Sequence, residues 1–197
     1  MHYAQSMTSQ DPRPILAEAL RLDGSDDHVE LRYHAKRTRS VAVEKGRVDQ
    51  AKLSEHTGVG VRVLSSGTYG FASTDRLDVP SVRAAIETAR AAAQASAGAR
   101  KERITPPPAA DLAVGRFDAP GYEELLAASV DERIQLVLGL EERARGQSPR
   151  IVSASSGYTE SFEEKGIVTS DGASAWTRVA RPELRVMTVA EADGELQ

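Results

Sequence analysis

The sequence predicts an α+β fold with antiparallel sheets and packed helices. Three observations carry this. Long runs alternate apolar and polar residues, two segments carry apolar residues at helical spacing behind recognisable caps, and Gly-containing turns separate the alternating runs. In chain order the layout reads strands, helix, linker, helix, strands.

Residues 1–11 read as a loose tail. Pro12 and Pro14 open an apolar-periodic run, Ile15, Leu16, Ala19, Leu20 and Leu22, and proline is tolerated in a first helical turn, so a helix is expected near 12–22. Asp23-Gly24-Ser25 ends it. Val29, Leu31, Tyr33 and Ala35 then share one parity, with Glu30, Arg32, His34 and Lys36 on the other: a half-buried strand that resumes or bends toward Val41 and Val43. Glu44-Lys45-Gly46-Arg47 reads as a hairpin turn. A return strand over Val48–Leu53, a third over Gly58–Leu64 and a fourth over Tyr69–Ser73 complete an antiparallel meander.

Asp78 is an N-cap candidate with Pro80 in the first turn, and Ala-rich Val82–Ala97 favours helix up to Gly98. Pro106-Pro107-Pro108 lies in a stiff connector. Tyr122–Ala128 is weakly helical. Ser129-Val130-Asp131-Glu132 is a capping box that starts a helix with Ile134, Val137 and Leu138 on its apolar stripe, running to about Arg145. Strands are expected at Ile151–Tyr158, Thr159–Glu164, Gly166–Thr169, Ala173–Ala180 and Leu184–Glu191, with turns at Asp171-Gly172 and Asp193-Gly194. Glu44-Lys45-Gly46-Arg47-Val48 is echoed by Glu164-Lys165-Gly166-Ile167-Val168, which reads as two hairpins sharing turn chemistry. The expected organisation is a tail and helix over 1–24, a first α+β module over 25–104, a Pro-rich linker over 105–117, and a second α+β module over 118–197.

Composition excludes several classes. With no cysteine there is no disulfide, thiolate metal site or Cys nucleophile, which suits a cytoplasmic setting. No segment approaches the ~18 consecutive apolar residues of a membrane helix. The 25 basic and 29 acidic residues give a net charge of −4, and aromatics are only 5% of the chain. Both argue against a nucleic-acid partner.

No catalytic set emerges from residue chemistry. The histidines, His2, His28, His34 and His56, form no helical metal pair. His28 and His34 share a strand face with Glu30 and Arg32, but Arg32 repels a cation, so a solvated face is expected. The adjacent carboxylates Glu123/Glu124, Glu141/Glu142 and Glu163/Glu164 point in different directions and read as solvated surface. Gly58-Val59-Gly60 fails as a dinucleotide fingerprint, because Val63 stands at the third glycine and the context is strand. The basic cluster over 32–47 reads as an edge strand protected by charge.

An ordered set of segments carries a family resemblance: His28-Val29-Glu30-Leu31-Arg32-Tyr33, Val43-Glu44-Lys45-Gly46-Arg47-Val48, Gly58-Val59-Gly60-Val61-Arg62-Val63, Gly70-Phe71-Ala72-Ser73-Thr74 with the Ala-rich helix after it, and Thr169-Ser170-Asp171-Gly172. Together they resemble the N-terminal half of the TldD/PmbA family of metallopeptidase subunits, also called modulators of DNA gyrase, leaning toward the TldD-like branch. The resemblance spans about residues 25–197.

That resemblance implies a part in proteolysis: the chain walls a cleft, receives an unfolded peptide and pairs with a homologous subunit. The family's zinc element, a His-Glu-x-x-x-His helix, lies downstream of the matched region. Zinc is therefore expected in a missing C-terminal half, with none bound by this chain and no catalytic residue assigned within it. The ending at Glu195-Leu196-Gln197 is that expected of a fragment; a free-standing, non-catalytic binding or assembly module is the alternative. The family-motif positions, structural or cleft-lining, are Gly46, Gly58, Gly60, Arg62, Gly70, Phe71, Asp171 and Gly172. A peptide strand adding to a sheet edge would need little sequence from its partner, and Gly58 and Gly60 would permit close approach. Whether their strand lies at an edge or in the sheet centre stays open.

Overall fold

A computed structural model describes residues 11–99, 101–106, 108, 111–192 and 195–196. The expected tail up to Gln10, residues 107, 109 and 110 of the connector, and the Asp193-Gly194 turn lie outside the described residues. The elements are α1 (Arg13–Asp23), β1 (His28–Glu44), β2 (Arg47–Ser65), β3 (Thr68–Thr74), α2 (Val79–Ser96), a 3₁₀ turn (Ala97–Ala99), β4 (Val114–Asp118), α3 (Tyr122–Ala127), α4 (Val130–Arg145), β5 (Ile151–Thr169), β6 (Ser174–Ala192) and β7 (Glu195–Leu196). The strand order is β3-β2-β1-β5-β6-β4, with β7 beside β6. The α+β class is thus observed.

Two turns set the meander. Lys45 and Gly46 have φ of 53° and 71°, and Ser66 and Gly67 have 52° and 73°. Paired positive φ values in a two-residue loop define the type I′ hairpin, whose twist matches that of the strands. β2 and β3 pair antiparallel from Val59↔Thr74 to Ser65↔Thr68.

Several expectations need correction. The strands are fewer and longer: Val48–Leu53 and Gly58–Leu64 are one strand, as are the three segments from Ile151 to Thr169 and the two from Ala173 to Glu191. Gly58 and the pair Gly157 and Gly166 lie inside β2 and β5 without positive φ, so the strand runs on through each of them. Pro182 sits inside β6 beyond the β4 register, which ends at Asp118↔Arg178; along such an unpaired edge a strand tolerates proline. The echo at Glu164–Val168 is mid-strand, not a hairpin, and a Cβ on Gly166 would lie 2.8 Å from Pro12 Cγ. β1 is central in the sheet, so its basic cluster does not guard an edge. β4, absent from the sequence reading, pairs parallel with β6.

The chain divides into two compact units. The first comprises Met1–Ala35, His56–Asp118 and Glu164–Arg178. Its core joins Val29, Leu31, Val59, Val61, Val63 and Val168 from the strands to Leu16 and Ala19 of α1 and Val82, Ala85, Ile86 and Ala89 of α2. Asp78 caps α2, its Oδ1 accepting from the Ser81 N–H at 2.8 Å, and Gly24 closes α1 in the left-handed conformation at φ 60°. β3 packs so closely on α2 that a Cβ on Gly70 would fall 1.8 Å from the Ala89 carbonyl oxygen.

The second unit comprises Lys36–Glu55, Ala119–Glu163 and Val179–Gln197. Val41 and Val43 pack with Tyr158 and Val137, flanked by Ile134 and Leu138. The capping box holds as expected: the Glu132 N–H donates to Ser129 Oγ at 3.2 Å, and the Ser129 N–H to Glu132 Oε2 at 2.7 Å. Tyr122 meets Phe162 edge-on at 5.7 Å between ring centroids.

Candidate functional site

In the first unit the core takes one parity of each strand, and the other parity forms an open face. On β1 that parity holds Glu30, Arg32 and His34; on β2, Gly58, Gly60 and Arg62; on β3, Tyr69, Phe71 and Ser73. Register fixes their neighbours: Gly60 pairs with Ser73 and Arg62 with Phe71. A groove of about 360 Å³ opens here, lined by residues that include Arg32, His34, His56, Gly58, Gly60 and Asp75.

The face is organised by a buried carboxylate. Glu30, expected to be solvated, is only 6% exposed. It accepts from Arg62 Nη2 at 2.5 Å and pairs with Arg32 Nε. Burying a carboxylate is tolerable only where it is paired, and two guanidinium groups do this. Arg62 also lies 4.9 Å over the Tyr69 ring, and Tyr69 stands 6.3 Å from Phe71. Phe71 is 66% exposed.

Gly58 and Gly60 form the groove floor for different reasons. A Cβ on Gly58 would lie 3.0 Å from the Thr74 carbonyl oxygen, whereas at Gly60 the nearest atom, the Arg32 carbonyl oxygen, is 3.9 Å away. Gly60 lies between β1 and β3, so its strand offers no edge there, and close approach is possible from the face. On the core side of the same sheet, burial pushes the Tyr33 phenol up, and its hydroxyl is hydrogen-bonded to Thr57.

The other family-motif positions lie elsewhere. Gly46 is in the β1–β2 turn, and Gly70 is at the β3–α2 contact. Asp171 and Gly172 form the β5–β6 turn, with Gly172 at φ 112°. That turn is latched to the start of β1. The Ser170 N–H donates to the Val29 carbonyl at 2.9 Å, the Val29 N–H to Ser170 Oγ at 3.0 Å, and His28 Nε2 lies 3.3 Å from Asp171 Oδ2. His28 therefore serves the turn, apart from His34. The Thr169 hydroxyl holds the Asp171 carboxyl below its usual range, and His28 adds to this.

A pair of charges at the far side of this unit was missed entirely. Asp118 on β4 accepts from Arg178 Nε at 3.0 Å and Nη2 at 2.6 Å, and Arg116 Nε reaches it at 2.8 Å. The Arg116 and Arg178 guanidinium groups also lie over the Trp176 ring, at 4.4 and 5.4 Å from its centroid. Without β4 in the sequence reading, nothing linked residues 60 positions apart.

Among the described residues, no three His, Cys, Asp or Glu side chains converge as a metal site. These residues do not fit zinc. No helix of the described residues is long and apolar enough to cross a membrane.

Residues 29–93 match the family model described as PmbA/TldA metallopeptidase domain 1, and residues 123–196 match the PmbA/TldA metallopeptidase central domain. An α+β sheet protein carrying these two domains defines the class, and the chain belongs to the TldD/PmbA metallopeptidase family. It is 24% identical over 151 residues to the metalloprotease TldD homolog of Haemophilus influenzae, covering 76% of this chain and 30% of the relative. The metalloprotease TldD homolog of Buchnera aphidicola is 25% identical over 146 residues, covering 74% and 29%. The chain thus spans about a third of the length of these curated relatives. Two solved structures share the fold. TldE from Thermococcus kodakarensis aligns at a TM-score of 0.73 and 19% identity, over 92% of this chain and 40% of that one. A gyrase-modulator protein from Thermotoga maritima aligns at 0.70 and 20%, over 93% and 40%.

Proposed function

We propose that this chain is the N-terminal, peptide-receiving and assembly portion of a cytoplasmic TldD/PmbA-type zinc metallopeptidase subunit. Zinc ligands and the catalytic base would come from sequence outside these residues, and Pro-rich 105–117 would link its two modules. The observation that carries the reading is the glycine-floored groove on the open face of the first unit, within the matched first domain. Gly58, Gly60, Arg62 and Phe71 line or flank that face; Gly70, Asp171 and Gly172 hold the packing and the turn that support it, and Gly46 shapes the β1–β2 turn in the second unit.

Assembly is supported by a second feature. The β3 register stops at Val59, so the Arg47–Gly58 stretch of β2 has no strand on that side among the described residues. Its Val48 and Leu53 are exposed, as are Leu184, Val186, Met187 and Val189 on β6. A bare strand edge with exposed apolar residues is a template for pairing with another chain, here a homologous subunit.

The test is fluorescence anisotropy with labelled, reduced and carboxymethylated α-lactalbumin as the unfolded probe and the native form as control. Binding of the unfolded form alone is expected. Equal binding of both, or of neither, would overturn peptide reception. A monomer in light scattering at 100 μM would overturn assembly of this chain with itself and leave a heterologous subunit to be tried by co-purification.

A further inference from the structure

We propose that the open face of the first unit recognises the free carboxyl terminus of an extended peptide. This rests on the peptide-receiving reading and names the end of the peptide that the groove takes.

Three features converge. First, the groove is lined by Arg32 and by two imidazoles, His34 and His56, with one acid, Asp75, among its lining residues. Arg32 pairs with Glu30 through Nε, and a guanidinium carries further N–H donors beside that one. Charge-assisted hydrogen bonds from Arg32 favour an anion, and planar recognition of a carboxylate is the strength of arginine. Second, Gly60 leaves its floor bare, so a ligand backbone can approach where any side chain would stand in the way.

Third, the face has an apolar end at a defined step. Gly60 pairs with Ser73 and Arg62 with Phe71, so the exposed Phe71 ring lies two residues along the strands from the glycine floor. Two residues of strand span about 7 Å, which is also the separation of alternate side chains in an extended peptide. With its carboxylate at Arg32, His34 and His56, a peptide running toward Phe71 lays an apolar side chain against that ring. A small inorganic anion would use only the basic end; a peptide terminus uses both.

The experiment compares two fluorescein-labelled hexapeptides of sequence Gly-Ser-Gly-Leu-Gly-Ser, one with a free carboxyl terminus and one amidated, titrated with the full chain. The free acid is expected to bind about tenfold more tightly, the size of one charge-assisted contact. Arg32→Gln removes that preference while the amide's affinity stays the same. Phe71→Ala weakens both peptides alike. Gly60→Val, whose Cβ has 3.9 Å of clearance from the nearest atom, retains the circular dichroism of the parent and binds neither peptide. Equal affinity for acid and amide overturns this inference and leaves peptide reception standing. Binding of neither overturns both. A preference for the acid that survives in Arg32→Gln overturns the assignment of the carboxylate site.

Discussion

Arg39 Nη2 stands 2.6 Å from Glu160 Oε1, and the Glu160 side chain has no solvent exposure. Around that pair the second unit builds a buried polar network. Tyr158 donates its hydroxyl to Glu160 Oε2 at 2.8 Å, and Arg133 Nη2 lies 3.3 Å from the same oxygen. Arg39 also donates to the carbonyl oxygens of Leu125 and Ala128 at 2.9 and 3.1 Å, satisfying acceptors at the end of α3, and stacks 4.9 Å over Phe162. One guanidinium thus ties a central strand to a helix terminus and a buried acid.

Removing this cation leaves Glu160 with the Arg133 guanidinium and the Tyr158 hydroxyl. Arg39→Met is expected to cost about 3–5 kcal/mol, the range for breaking a buried pair from one side. Arg39→Lys rescues little of it, because an ammonium lacks the planar fork that reaches two carbonyls and a carboxylate. Urea unfolding monitored by circular dichroism measures both, and a midpoint unchanged in Arg39→Met would refute the role.

Gly70 and Gly60 make a matched pair of tests. An added methyl at Gly70 would meet the Ala89 carbonyl at 1.8 Å, a backbone atom that cannot rotate away. Gly70→Ala is expected to destabilise by about 3 kcal/mol or more, at the upper end of overpacking. Gly60→Ala meets only an ordinary contact and shifts stability by less than about 0.5 kcal/mol. Thermal melts of the two variants decide this; equal losses would contradict the packing described.

Asp118 sets a limit at low pH. The hydrogen bond from Arg178, aided by Arg116, lowers its pKa from 3.8 to about 2. The unfolded chain therefore takes up this proton first as pH falls. The stabilisation from Asp118 is present in full above about pH 4 and is lost between there and pH 2. Asp118→Asn removes that part of the slope. Denaturation midpoints measured from pH 5 to pH 2 give the comparison, and parallel curves for the two proteins would contradict it.

Tyr158 acts at the other end of the scale. Burial, with the hydrogen bond and charge of Glu160, pushes its phenol from 10.0 to about 12. In the folded chain it keeps its proton where an unfolded tyrosine has lost it. Its contribution to stability is complete below pH 10 and disappears as pH rises from 10 to 12. Ultraviolet titration should show one fewer late-ionising tyrosine in Tyr158→Phe; identical titrations would count against the network.

Much of the candidate face was legible in order but not in depth. The parity of Val29, Leu31 and Tyr33 put Glu30, Arg32 and His34 together on the opposite side, as observed. The same parity rule, carried along β1, places Arg39 with Val41 and Val43 on the inward side, a signal the charge-cluster reading overrode. Glu164 and Glu141 are buried although each adjoins an exposed or half-exposed acid. In β5 adjacent residues alternate across the strand, so Glu163-Glu164 sends one member inward, whereas Glu141 lies on α4, where the helical repeat puts it on the buried stripe four residues after Val137.

Local chemistry by itself determined the α+β class, the two type I′ turns, the caps at Asp78 and Ser129, and the alternation that separates core from open face. These depend on backbone dihedrals and on residues within a few positions of one another. Only the tertiary structure decided that β1 is central, that β4 joins β6 across 60 residues, and that Gly60 opens a face rather than an edge. Strand order and the partner of a buried charge depend on contacts between segments far apart in the chain, and a period of two records which way a side chain points without recording what it meets.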